Sequence, residues 1–220
     1  MSSLIYKFLP PRVVSAEKSP VLILLHGRGA DENDLLGLAP ELDERLMLFS
    51  VRAPFQFPFG GFTWFDLDEQ GNADPKMFME SYNHLFTFVD EIAAQHASDP
   101  KLEMAPKATK IFLMGFSMGT IMAYAMALTQ PERFAGVVAQ SGFMREILGL
   151  ELKWNALQHC PFIITHGTQD TVIPVNWARK TRDMFAAKGN ADVVYKEYPM
   201  GHQISDASLA DVSQWLAERI

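Results

Sequence analysis

Apolar positions along the chain form short continuous runs rather than strict alternation with polar residues. Runs such as Val21–Leu25 and Ile111–Met114 contain no polar position, which is typical of parallel strands covered by helices on both faces. We therefore predict that these two strands lie centrally in a sheet. The β-rich runs that we predict as strands are Val21–Leu25, Met47–Val51, Ile111–Met114, Gly136–Gln140, Phe162–Thr165 and Val193–Tyr198.

Segments with helical periodicity lie between these strands. Asp74 and Pro75 supply an N-cap and a first-turn proline, while Pro131 and Gly189 stand where two later helices should stop. Alternating strands and helices predict an α/β fold with a mostly parallel sheet and helices on both faces. The predicted helices are 75 to about 97, Met118–Thr129, about Val175 to Lys188, and Ser208–Arg219. The buried face of the first is expected to carry Tyr82, Leu85, Val89, Ile92 and Ala93.

Length and composition predict one domain over residues 1–220, because 48% of the residues are apolar and neither a repeat nor a linker interrupts the pattern. A net charge of −7 gives no attraction to nucleic acids. The longest apolar run, Ile121–Leu128, is eight residues, and a spanning helix needs about 18, so we expect no integral membrane association.

The N-terminal apolar stretch is broken by Lys7 and by Pro10 and Pro11, so we expect no export signal. Cys160 is the single cysteine, and it cannot form an intrachain disulfide. A cytoplasmic protein with a buried, inert Cys160 is the resulting expectation. The oligomeric state stays open, a homodimer included.

Two predicted loops are long for so compact a chain, and such loops tend to carry function. The second, 142–160, has nineteen residues, enough for a short helix but not for a lid domain, so we expect an open site. We expect the first, 53–73, to present Trp64 and Phe65 as walls of an acyl pocket, although packing of this loop on its own domain is an equal alternative. Its aromatic residues are Phe55, Phe57, Phe59, Phe62, Trp64 and Phe65.

Residues Gly115 to Gly119 match the motif G-x-S-x-G with Ser117 at its centre. In this motif the glycines let a strand turn sharply into a helix while the serine protrudes as a nucleophile. The placement fits, since the motif follows a predicted buried strand and opens a predicted helix. The alternative is that Ser117 only caps that helix.

A serine nucleophile needs a histidine base and a carboxylate that orients the base. In chain order the acid and then the histidine follow the serine in folds with this motif. His202 follows the last predicted strand and precedes the last helix, so it is the expected base. Asp170 follows the strand Phe162–Thr165, at the end where functional groups gather in parallel sheets, so it is the expected acid. The structural alternative for His202 is a histidine in a surface loop, and the alternative for Asp170 is a helix N-cap.

The third requirement is an oxyanion hole of two hydrogen-bond donors. Met118 N–H is the first expected donor, and Arg28 N–H, between Gly27 and Gly29, is the second. For the Arg28 side chain we favour a solvent-facing position or a pair with Asp31 or Asp34 over a clamp for an anionic substrate. No metal or cofactor motif is present in the sequence, so we expect neither.

The chain resembles the phospholipase/carboxylesterase family of α/β-hydrolases, in particular its bacterial carboxylesterase branch. The resemblance covers nearly the whole chain and implies the same Ser117, Asp170 and His202 triad, backbone donors at Arg28 and Met118, and hydrolysis of acyl esters, thioesters or lysophospholipids. The segments that carry it are Leu25–Asp31, Arg52–Pro54, Trp64–Asp66, Gly115–Gly119, His166–Asp170 and Gly201–His202.

Two other functions fit the same fold. A dienelactone-hydrolase-like enzyme would typically carry cysteine where this chain has Ser117. A ligand-binding protein without catalysis would be expected to lack part of the triad, and no part is missing here. A serine esterase acting on a small-molecule acyl ester or thioester is therefore the favoured function.

Overall fold

The computed structural model describes residues 4–13, 19–98, 110–145, 149–188 and 192–220. Its strands are β1 (Tyr6–Leu9), β2 (Val21–Leu25), β3 (Met47–Val51), β4 (Phe55–Gln56), β5 (Phe62–Thr63), β6 (Ile111–Phe116), β7 (Gly136–Gln140), β8 (Phe162–Gly167) and β9 (Val193–Tyr198). Its α-helices are α1 (Pro75–Ser98), α2 (Met118–Thr129), α3 (Asn176–Lys188) and α4 (Asp206–Ala217). Short 3₁₀ helices cover Asp34–Glu41, Pro131–Arg133 and Trp154–His159.

Seven strands form one sheet in the order β1-β3-β2-β6-β7-β8-β9. Every pairing in it is parallel except that of β1 with β3. The predicted mostly parallel α/β sheet is confirmed, and β2 and β6 lie at its centre as expected. Strands β4 and β5 form a separate small hairpin.

Both faces of the sheet are covered by helices. Successive side chains of a strand point to opposite faces, so the five residues of β2 divide between two cores. Val21, Ile23 and Leu25 belong to the core that also contains α1, α2 and Phe185 of α3. Leu22 and Leu24 belong to the core formed with α4 and the 3₁₀ helix at 34–41. Burial on both faces explains why β2 contains no polar residue.

Four of the six predicted strands have the predicted bounds, whereas β6 and β8 each continue two residues further, to Phe116 and Gly167. The extra residues lengthen both strands at the carboxyl edge of the sheet, directly before Ser117 and shortly before Asp170. Strand β1 was not predicted. It is a four-residue edge strand with alternate residues exposed, and it pairs with β3, which lies far along the chain.

The helix boundaries follow the predicted capping signals closely. The Asp74 side chain accepts a hydrogen bond from the amide of Met77, 2.8 Å away, as an N-cap should. Helix α4 begins two residues before its predicted start, because Ser205 and Ser208 form a reciprocal capping box. The expectation for Ala93 was wrong: Ile92 is buried, but the next residue turns to solvent. Gly189 lies outside the described residues.

The loop at 142–160 contains the 3₁₀ helix Trp154–His159, and its residues 146–148 lie outside the described part of the chain. No lid domain is present in the described ranges. Cys160 is buried, and burial raises the pKa of its thiol to about 12, which fits the expected inert role. No helix among the described residues is both long and apolar enough to cross a membrane.

Candidate active site

Ser117 lies in the sharp turn between β6 and α2. Its backbone has φ 54° and ψ −115°, a left-handed φ that non-glycine residues rarely adopt. Gly119 makes the turn sterically feasible, because a Cβ at this position would lie 2.0 Å from the Leu25 carbonyl oxygen at the end of β2. The Ser117 side chain makes no capping hydrogen bond to α2, so the helix-cap alternative is not supported. Such strained positions are typical of functional sites.

The structure brings Ser117, His202 and Asp170 together from three separate loops. Ser117 Oγ lies 2.9 Å from His202 Nε2, and His202 Nδ1 lies 2.7 Å from Asp170 Oδ2. A carboxylate only accepts hydrogen bonds, so Nδ1 carries the hydrogen and Nε2 presents its lone pair to the serine hydroxyl. Asp183, another carboxylate between Ser117 and His202 in the chain, instead forms an exposed ion pair with Arg182.

Asp170 is held by several donors at once. Its Oδ1 accepts hydrogen bonds from the amides of Val172 and Ile173, at 2.9 and 2.8 Å, and its Oδ2 accepts that of His202. The carboxylate side chain has no solvent exposure. It therefore shapes its own loop and also orients the imidazole of His202, and it is not a helix N-cap, because the next helix, α3, begins only at Asn176.

A second histidine, His166, contacts the same carboxylate and was missed as a site residue. It is the fifth residue of β8 and is fully buried. Its Nε2 lies 2.7 Å from the carbonyl oxygen of Ile173 and 3.3 Å from Asp170 Oδ2, so a neutral ring with hydrogen on Nε2 satisfies both acceptors. Burial lowers the pKa of His166 below its ordinary value. The signal in the sequence was only its closeness to Asp170.

The loop 26–30 passes directly beside the serine. A Cβ on Gly27 would lie 3.3 Å from Ser117 Cβ, so the glycine permits close approach of the loop backbone. Two hydrogen bonds of 2.8 Å join this loop to β5: Gly29 N–H donates to the Phe62 carbonyl, and Phe62 N–H donates to the Ala30 carbonyl. The loop 53–73 thus holds the backbone of the loop 26–30 in place next to Ser117.

His26, which is fully buried, holds the same loop through its two ring nitrogens. Its Nδ1–H donates to the Gly27 carbonyl at 2.7 Å, and its Nε2 accepts the Ala53 amide at 3.0 Å. Burial lowers the pKa of this histidine, in keeping with a neutral ring. In the described part of the chain, the amides of Arg28 and Met118 donate no hydrogen bond, and both residues line the cavity beside Ser117. Both N–H groups are therefore available to a bound oxygen.

A cavity of about 430 Å³ opens over Ser117. Four loops and parts of α2 and α3 form its walls, and both of the loops predicted to be functional are among them. Phe65 lines it as expected, but Trp64 does not, which corrects the expectation for that residue. Trp64 is fully buried, and its indole N–H donates to the His26 carbonyl at 2.9 Å, so it supports the loop 26–30 instead. The lining residues beyond Ser117, Met118 and Arg28 are Phe65, Leu67, Gln70–Asn72, Ile121, Phe143, Arg145, Val172–Pro174 and Trp177.

The Arg28 side chain is exposed, as favoured from the sequence. Its guanidinium carbon lies 5.3 Å from the centre of the Phe57 ring, and within the described ranges it forms no ion pair with Asp31 or Asp34. Asp31 accepts hydrogen bonds from Asn33 instead.

A larger cavity of about 560 Å³ lies between the 3₁₀ helix at 34–41 and α4, and none of the triad residues lines it. No group of three His, Cys, Asp or Glu side chains within the described segments could hold a metal ion.

Known proteins share this fold and sequence pattern. A carboxylesterase from Bacillus cereus has a solved structure that matches with a TM-score of 0.81 and 25% identity, covering 99% of this chain and 95% of that chain. Acyl-protein thioesterase 1 of Kluyveromyces lactis is 25% identical over 217 residues, 91% of this chain and 92% of that protein. Acyl-protein thioesterase 1 of Debaryomyces hansenii is 26% identical over 156 residues, 70% of this chain but only 65% of that protein.

The family model described as Phospholipase/Carboxylesterase matches residues 11–220. This match covers nearly the whole chain and agrees with the α/β-hydrolase topology of the sheet. The chain belongs to the phospholipase/carboxylesterase family of hydrolases.

Proposed function

We propose that the protein is a serine hydrolase that cleaves carboxylic ester bonds through an acyl-enzyme intermediate. The observation that carries the proposal is the hydrogen-bonded series from Ser117 Oγ through His202 to Asp170, with distances of 2.9 and 2.7 Å. A protein that only binds a ligand does not need a serine, a histidine and an aspartate aligned for proton transfer. Thioesters are the second candidate substrates, because the curated relatives are named acyl-protein thioesterases.

In the proposed acylation step, His202 Nε2 accepts the hydroxyl proton while Ser117 Oγ attacks the substrate carbonyl carbon. Asp170 holds the ring in the tautomer that this transfer needs and stabilises the imidazolium that forms. The tetrahedral intermediate places a negative charge on the former carbonyl oxygen. His202 then gives its proton to the departing alcohol or thiol, which leaves the acyl group on Ser117.

Deacylation repeats these roles with water as the nucleophile. His202 takes a proton from water, the hydroxide attacks the acyl carbon, and the proton returns to Ser117 Oγ as the carboxylic acid departs. In both steps the oxyanion accepts hydrogen bonds from the proposed donors, Arg28 N–H and Met118 N–H. Their lack of other acceptors in the described chain supports this assignment.

Hydrolysis of p-nitrophenyl acetate by a Ser117→Ala variant tests the proposal. We expect kcat to fall by about 10⁴-fold or more while the melting temperature stays near that of wild type. Ser213→Ala is a matched control, since this hydroxyl bonds the Glu41 carbonyl and lies outside the cavity over Ser117. Equal activity in Ser117→Ala and wild type would refute the proposed nucleophile. A panel of p-nitrophenyl esters, acyl thioesters and lysophosphatidylcholine then ranks the substrates.

We also propose a single catalytic domain that acts in the cytoplasm on small acyl substrates. The one cysteine, buried Cys160, supports a reducing compartment, and the net charge of −7 argues against a nucleic-acid partner. Cell fractionation tests the location: recovery of the protein outside the cytoplasmic fraction would contradict it.

A further inference from the structure

The cavity over Ser117 combines apolar walls with positive charge. Two of its lining residues, Arg28 and Arg145, are cations, and among the residues that the structure describes no aspartate or glutamate lines it. This contrasts with the chain as a whole, whose net charge is −7. A cavity that needed only to hold a neutral acyl chain would not require a cation beside apolar walls.

Arg145 is the better positioned of the two cations. Its Nη2 donates a 2.5 Å hydrogen bond to the Gly71 carbonyl, and Gly71 itself lines the cavity, so the guanidinium lies at the cavity wall. The guanidinium carbon also lies 5.6 Å from the centre of the Phe143 ring. These two contacts hold the group before any ligand arrives, which reduces the entropy lost on binding.

The charge of Arg145 lacks a direct partner among the described residues, where no carboxylate lies within ion-pair distance of it. Asp68 acts on it electrostatically from further away, but its carboxylate accepts hydrogen bonds from Asn72 and the Gln70 amide. Partial burial lowers the pKa of Arg145, a penalty that a bound anion would relieve. One guanidinium edge beyond the bond to Gly71 matches the two oxygens of a carboxylate.

We propose that the natural substrate carries a carboxylate that pairs with Arg145, so that the enzyme prefers half-esters or half-thioesters of aliphatic dicarboxylic acids. The aliphatic segment packs on the apolar wall formed by residues such as Ile121, Phe143 and Trp177. Arg28, exposed at the same cavity, adds to the positive field without a fixed contact to the ligand. This inference rests on the proposed esterase function and narrows its substrate class.

The test compares matched p-nitrophenyl esters. Mono-p-nitrophenyl adipate, pimelate and suberate carry a terminal carboxylate, while p-nitrophenyl hexanoate, heptanoate and octanoate have the same chain lengths without it. At the best chain length we expect wild-type kcat/KM to favour the charged ester by about tenfold. Because the cation is partly exposed, 0.5 M NaCl should reduce this preference.

Arg145→Gln removes the charge but keeps a side-chain donor for the Gly71 carbonyl. It should reduce the charged-to-neutral ratio of kcat/KM about tenfold, mainly through KM of the charged ester, and Arg145→Lys should recover part of the ratio. Arg182→Gln is the control, an exposed arginine outside the cavity, and should keep the wild-type ratio.

The outcomes separate the two proposals. Wild type that cleaves neither ester would defeat the esterase function itself. Wild type that cleaves the neutral esters as well as the charged ones, at every length, would overturn the carboxylate preference alone. An Arg145→Gln variant that loses activity equally on both esters would show that Arg145 only supports the loops, and would also overturn it.

Discussion

Replacing Asp170 with asparagine changes one atom at the centre of the triad while preserving the shape of the side chain. The Oδ1 atom of an asparagine can still accept the hydrogen bonds of Val172 and Ile173 that shape the loop. The position of Oδ2, however, becomes an NH₂ group. It faces His202 Nδ1 at 2.7 Å and His166 Nε2 at 3.3 Å, and both of these nitrogens carry hydrogen in the wild-type arrangement.

The consequence for catalysis follows from the histidine tautomer. To avoid two facing donors, His202 would accept from the amide through Nδ1 and carry its hydrogen on Nε2. That hydrogen would point at Ser117 Oγ, 2.9 Å away, so the lone pair needed to accept the serine proton is lost. A wrong tautomer of this kind costs about 10⁴ in kcat, which is about 5.4 kcal/mol of activation free energy. The folding cost of one mismatched buried contact is smaller, about 1–3 kcal/mol.

Steady-state kcat on p-nitrophenyl acetate, with a thermal melt of each variant, measures both effects. Asp183→Asn is the matched control: it makes the same chemical change in an exposed ion pair with Arg182, which should contribute at most about 1 kcal/mol to stability. If a folded Asp170→Asn enzyme kept kcat within tenfold of wild type, or if Asp183→Asn were the crippled variant, the assignment of the acid would be wrong.

Three further results are expected. Arg28→Ala keeps the backbone donor and should lower kcat on p-nitrophenyl acetate by no more than about tenfold. Arg28→Pro deletes the N–H and should lower kcat by about 10²–10³-fold. A loss of about 10²-fold in Arg28→Ala with an intact fold would assign the side chain to the mechanism. Burial lowers the pKa of His26 and of His166 from 6.5, so the unfolded chain binds more protons than the folded chain below that pH. In urea titrations the free energy of unfolding should therefore fall by up to about 2.7 kcal/mol per pH unit as the pH drops from 6.5. An unchanged free energy of unfolding at pH 5.5 would refute neutral buried rings. Because the described chain has no lid domain, soluble monomeric esters should be cleaved without a lipid interface; activity that appears only above a micellar threshold would contradict an open site.

The sequence identified the three triad candidates because each follows a predicted strand, and the strands before Ser117 and Asp170 have a strong apolar pattern. Parallel strands carry their following loops to the same edge of the sheet, so residues such as Ser117 and Asp170 converge although 53 positions separate them. Their order along the chain then left few alternatives. The same argument predicted the central strands, because burial on both faces leaves a visible signature in the residues of β2.

Contacts between loops could not be predicted in this way. The bond between Arg145 and the Gly71 carbonyl joins two loops that have no periodic pattern and lie 74 residues apart. Trp64 and Phe65 are adjacent aromatic residues, and composition does not tell which one faces the cavity and which one bonds the His26 carbonyl. His166 was not predicted as a site residue because its contact with Asp170 depends on how the loop after β8 folds back.

Covalent labelling shows directly whether Ser117 is the nucleophile. A fluorophosphonate probe reacts with an activated serine, and mass spectrometry of the intact and digested protein shows how many labels bind and where. We predict one label per chain, on the peptide that contains Ser117, and none on Ser117→Ala. A label on another residue, or equal labelling of Ser117→Ala, would show that Ser117 is not the nucleophile.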